Sequence, residues 1–144
     1  MRYFRSVSLL LAVCALSACS RKESSPPPAT ESALKVAAIS LGRTIAADKT
    51  VAEQTDSFRP RDTFYLSVKT EGGASNARLS ARWTFQDGQV MGDSTQSIAP
   101  SGPAVTEFHV SKPDGWPVGS YKVEVSLNGA PAGHKEFRVN ESAL

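Results

Sequence analysis

The stretch GSYKVEVSLNG, residues 119–129, places Tyr121, Val123, Val125 and Leu127 at every second position, with Lys122, Glu124 and Ser126 between them. A period of two puts one set of side chains on each side of an extended chain, so this segment predicts a half-buried β-strand. The same reading extends outward in both directions. Leu79, Ala81, Trp83 and Phe85 alternate with Ser80, Arg82 and Thr84, and Phe64, Leu66 and Val68 alternate with Tyr65, Ser67 and Lys69. Shorter runs at Lys35–Leu41, Gln89–Ile98, Ala104–Val110 and His134–Val139 complete a set of about seven strands. Strands with one apolar and one polar face belong to antiparallel sheets with one side in water.

Turn chemistry separates the runs. Asp87-Gly88, Gly72-Gly73, Pro100-Ser101-Gly102-Pro103 and Pro113-Asp114-Gly115 all fall between strands. Glycine supplies the positive φ that tight turns require. Asn128-Gly129 runs on into Ala130-Pro131-Ala132-Gly133, which reads as a longer loop, and Ile45–Gln54 reads as a loop as well. Many short strands with turn signals between them predict a single all-β antiparallel sandwich over residues 34–144.

Two aromatic residues sharpen the expectation. Trp83 lies on the third strand, where immunoglobulin domains bury a tryptophan, and Tyr121 opens the sixth strand after a Gly/Pro-rich corner. A tyrosine there pins the corner through its hydroxyl. Val123 holds the core position where antibody domains carry a cysteine, and Leu66 or Val68 would face it. The pattern resembles a disulfide-free immunoglobulin-like or fibronectin type III module. The segment from Lys112 to Gly119 is similar to one found in small, uncharacterised bacterial lipoproteins.

The amino-terminal residues predict an address. Arg2 and Arg5 give a basic start, and Val7–Leu16 is an apolar core of about half the 20 residues a membrane span needs. Leu16-Ser17-Ala18-Cys19 follows, and it resembles the lipobox of bacterial lipoproteins. The resemblance implies that residues 1–18 are a signal peptide and that Cys19 becomes the lipidated first residue. Two or three acyl chains then anchor the chain stably. Ser20, in place of an Asp, looks like the default for sorting to the outer membrane of a Gram-negative host, and the periplasmic face is the expected location. Residues 19–33 form the lipidated cysteine and a disordered Ser/Pro-rich tether, because serine, proline and charge without large apolar side chains cannot bury a core. Fully stretched, that tether reaches up to about 45 Å. Cys14 and Cys19 are the two cysteines, so neither a disulfide nor a free thiol is left for the domain.

Charge and motif content narrow the function. Losing Arg2 and Arg5 with the leader leaves 14 Lys and Arg against 14 Asp and Glu, a formal balance of zero. Nucleic-acid capture needs clustered cations and is not expected. His109 and His134 fall on different predicted strands without acidic partners at ligand spacing, so no metal and no cofactor is expected. There is no G-x-S-x-G. Ser32-Ala33-Leu34-Lys35 meets S-x-x-K spacing at the end of the tether, without the companion motifs that would give it meaning. Asp87 with Asp93, and Glu107 with Glu124, are candidate carboxylate pairs for glycan hydrolysis. Their interleaving with Arg82 and Lys122 reads instead as a solvated face. Trp116, between Gly115 and Pro117, is the candidate binding residue, with capping of the core as its alternative role. These readings converge on a non-enzymatic, lipid-anchored envelope protein whose domain binds or helps assemble an unknown envelope protein. An inhibitor or immunity protein against an envelope hydrolase or toxin is the alternative.

Overall fold

The computed structural model describes residues 33–142. The leader, Cys19 and the tether up to Ser32 lie outside the described residues. Eight strands are present: β1 (Lys35–Gly42), β2 (Ser57–Phe58), β3 (Phe64–Glu71), β4 (Ala77–Phe85), β5 (Gln89–Ile98), β6 (Ala104–Val110), β7 (Gly119–Leu127) and β8 (Ala130–Val139). They form a three-stranded sheet, β1-β3-β6, and a five-stranded sheet, β2-β8-β7-β4-β5. Seven strands match the alternating segments. The eighth, β2, is two residues long and pairs parallel with β8, so the sandwich is antiparallel except at this edge.

The alternation sorts side chains as physics requires. Phe64, Leu66 and Val68 from β3 meet Leu79, Ala81 and Trp83 from β4 and Val123 and Val125 from β7 in a core where each is at most 1 % exposed. Phe64 sits at the centre of an aromatic cluster. Its ring stacks on Trp116 at 4.7 Å and meets Phe58, Phe137 and Tyr121 edge-on at 4.8, 4.9 and 5.9 Å. Leu66, Val68 and Val123 fill by hydrophobic packing the space that a disulfide bridges in antibody domains. The Trp83 indole N–H is buried with no hydrogen-bond partner among the described residues.

Two connections differ from the sequence reading. Asn128-Gly129 is not the start of a longer loop but a two-residue hairpin turn. Both residues have positive φ, 52° and 82°, as a type I′ turn demands. Ala130–Gly133 belongs to β8, and a register shift between Val125 and Ser126 lets Pro131 sit in the strand. The segment Ile45–Gln54 is an arm rather than an open loop. Isolated bridges join Gly42 to Gln54 and Ile45 to Val51, and Ala46 N–H donates to Thr50 C=O at 2.8 Å. Its tip, Ala47–Lys49, lines a hollow with Lys69 and Pro103–Val105. The arm therefore folds back over the outer face of β1-β3-β6. A Cβ on Gly42 would stand 2.2 Å from the Glu53 carbonyl oxygen, so only glycine allows the arm to turn this closely.

Candidate functional site

Binding on a sandwich requires a surface whose groups are not already satisfied within the fold, and such groups lie on its sheet edges and outer faces. The three-stranded sheet ends in β1 and β6. β1 lies against β8, where the Ile39 side chain occupies the place a Cβ on Gly133 would take. Gln96 of β5 donates from its amide to the Glu107 carbonyl oxygen of β6 at 2.7 Å, which occupies one carbonyl on the edge of β6. In the five-stranded sheet, β2 is two residues long. The remaining edge is β5, at ten residues as long as any strand in the fold.

β5 has few of the devices that discourage strand pairing. It contains no Lys, Arg or Pro, and Asp93 is its one charged residue. Asp93 is neutralised by Arg82 of β4, whose Nε lies 3.0 Å from its carboxylate. Met91 is the extra residue of a bulge, because Trp83 pairs with Gly92 and Thr84 with Val90. From Gly92 to Ile98 the register is unbroken. Opposite Trp83, Gly92 leaves little room: a Cβ there would sit 3.1 Å from a Val110 methyl and 3.5 Å from the indole.

Behind that edge, the outer face of the sheet carries a cross-strand ladder. Register aligns His134 of β8, Glu124 of β7, Arg82 of β4 and Asp93 of β5 in one row. Charges alternate along it from Glu124 onward, which is the favourable arrangement for directly opposed residues. Lys122 lies 3.1 Å from Glu124, and the Ser80 and Thr95 hydroxyls are 2.9 Å apart. The row lines a shallow hollow of about 700 Å³ together with Ser126 and Pro131. A second hollow, nearer the β4–β5 turn, is lined by Gln86, Ser120 and Arg138 among others. Gln86 there adopts φ = 40°, and its N–H donates to Ser120 C=O at 2.8 Å. Exposed pairs of this kind contribute little stability, so the ladder is available for exchange with a partner's charges.

The candidates from sequence are placed as follows. Cys19 lies outside the described residues, as does Ser32 of the S-x-x-K string, and Lys35 forms an ion pair with Glu71 at 3.6 Å. Trp116 is only 4 % exposed. Its Nε1–H donates to Asp62 C=O at 3.0 Å, and its N–H donates to Pro60 C=O at 2.6 Å. The indole thus joins the 59–63 and 111–118 loops and caps the core, leaving its ring no face for a partner. Tyr121 forms the corner, its hydroxyl donating to Pro117 C=O at 2.7 Å. Burial pushes that hydroxyl's pKa up to about 12. His109 is exposed and lies 2.6 Å from Glu107 on the outer face of β6. Glu107 and Glu124 stand on different sheets and do not form a pair, and Asp93 is engaged with Arg82. No group of three or more His, Cys, Asp or Glu able to hold a metal occurs among the described residues. The sequence reading named Arg82, Asp93, Lys122 and Glu124 but did not assemble the row. The row needs the register of three strand pairs, which the alternation alone does not supply.

No family model matches this chain, and no curated protein matches it. Among solved structures it is similar to an immunoglobulin-like protein from Pseudomonas aeruginosa, at 14 % identity over 77 % of this chain and 99 % of that one, with a TM-score of 0.54. The fold is immunoglobulin-like. A second likeness is to the C-terminal domain of wzt, at 13 % identity, 76 % of this chain, 74 % of that one and a TM-score of 0.51. At such identities the likeness concerns architecture, and function has to be argued from the site.

Proposed function

We propose that this immunoglobulin-like chain is a non-enzymatic, lipid-anchored protein of the bacterial cell envelope. Cys19 carries the anchor at the periplasmic face of the outer membrane, and the domain binds or helps assemble another envelope protein. The observation that carries the binding role is the outer edge of β5, which no further strand pairs among the described residues, with Gly92–Ile98 in unbroken register. Strand addition at such an edge gives affinity through main-chain hydrogen bonds and specificity through alternate side chains. The Arg82–Asp93–Glu124 row stands beside it to select among partners by charge. The anchor follows from the Leu16-Ser17-Ala18-Cys19 lipobox, which the tether of residues 19–33 joins to the domain.

Gentle crosslinking of the lipidated protein in envelope extracts, followed by affinity recovery, tests the binding role. A reproducible protein partner is expected, crosslinked through residues of β5. Recovery of no reproducible partner contradicts the proposal.

A further inference from the structure

The described chain begins at Ala33, and its position fixes one end of the sandwich. Ala33 bridges Gly73, and Gly73 bridges Ser101. Register places Lys35 opposite Glu71, Thr70 opposite Ala104, Ala77 opposite Ile98 and Leu127 opposite Ala130. The 72–76, 99–103 and 128–129 connections therefore share this end with the entering chain. Their sequences are GGASN, APSGP and NG, and none carries an ionisable side chain. Around the rim stand Lys35, Lys49, Lys69 and Arg78 against Asp48 and Glu71. This end is thus neutral at its tip and cationic at its margin.

The opposite end has the reverse character. Its connections carry Glu53, Asp56, Asp62, Asp87 and Asp114. Counted with the strand ends, as at the other end, they are joined by Glu141 to make six carboxylates against five cations, Arg43, Arg59, Arg61, Lys112 and Arg138. Strands of eight to ten residues separate the two ends. At about 3.3 Å per residue, that distance is about 30 Å.

We infer that the domain faces an anionic lipid surface with the 72–76, 99–103 and 128–129 loops and holds its acidic end away from it. The inference rests on the anchor at Cys19 proposed above. The tether is long enough to let the domain turn, so the charge distribution has to set the orientation. Lysine and arginine near an anionic surface are attracted by about 1 kcal/mol each within a Debye length, and carboxylates are repelled. The cations are shared about evenly between the ends, so it is the repulsion of the carboxylates crowded at the far end that favours the end through which the chain enters. β5 then runs along the membrane normal, and its edge opens sideways to partners in the envelope.

Energy transfer tests this with the full, lipidated chain. Single cysteines at Ser75→Cys, Ser101→Cys, Asp87→Cys and Asp114→Cys carry a donor dye. The acceptor is a headgroup dye in phosphatidylethanolamine–phosphatidylglycerol vesicles. Transfer from positions 75 and 101 is expected to exceed that from 87 and 114 by about twofold or more, given ends about 30 Å apart. Equal or reversed transfer from protein that floats with the vesicles overturns the orientation and leaves the anchor standing. Protein that does not float with the vesicles overturns the anchor, and the orientation falls with it.

Discussion

Tyr121 and Trp116 show how two single side chains close one end of the sandwich. The tyrosine hydroxyl reaches back to Pro117, and the tryptophan ties Asp62 and Pro60 of one loop to its own. Replacing Trp116 with Ala removes a stacked ring from Phe64 and a donor from Asp62 C=O. It should cost about 3–5 kcal/mol in urea unfolding, the range for truncating a buried aromatic. Tyr121→Phe keeps the ring and loses only the hydrogen bond, a cost of about 1 kcal/mol at neutral pH. The tyrosine also makes a signed pH prediction. Its folded pKa, about 12, lies above the ordinary value of 10.0. Its contribution to stability is therefore complete below pH 10 and is lost as pH rises through 12. The stability gap between the parent and Tyr121→Phe should accordingly shrink over that interval. A gap that stays constant in unfolding measurements from pH 9 to pH 12 contradicts this account of the corner.

Among the elements, β5 carries the binding role because it ends its sheet: no further strand pairs with it among the described residues, although Gln96 reaches across to the Glu107 carbonyl of β6. Thr95 lies on the solvent face beside Ser80, away from the core. Thr95→Lys places on this edge the charge that natural edge strands use against pairing. Stability should change by no more than about 0.5 kcal/mol, as for other surface substitutions. Recovery of the crosslinked partner should fall to background, and undiminished recovery would remove β5 from the interface. The elements also show what a sequence reveals and what it conceals. Tyr121–Leu127 and Leu79–Phe85 announce their strands, because an inward residue at every second position is the direct cost-free solution for a sheet with one wet face. β2 was not visible. Phe58 is fully buried, yet its two-residue pairing with Val139 exists only once the distant β8 is in place. The Asn128-Gly129 turn was half visible: the dipeptide marks a hairpin, but Pro131 argued against a strand that a register shift in fact permits. The 43–54 arm has no alternation at all, and Gly42 was its one local sign. The row across the outer face was written in the residue types and hidden in the register.

At the scale of the whole molecule, the proposed leader, anchor and tether would give a thiol-free domain its place. Without a disulfide, the domain depends on one core of aromatic and β-branched side chains, Phe64 at its centre. Its two ends differ in charge, and the chain enters at the one with an uncharged tip and a cationic margin. The unpaired edge of β5, the proposed lipid-facing end and the proposed anchor would together suit a protein that holds position and offers a surface. The arrangement has biological meaning only if Cys19 is the attachment point. Mass spectrometry of the amino-terminal peptide of native protein is the most direct test. The account predicts a peptide beginning at Cys19 and heavier than its sequence by a diacylglyceryl group and an acyl chain. A peptide that begins beyond Cys19, or one that begins there with an unmodified thiol, would contradict it.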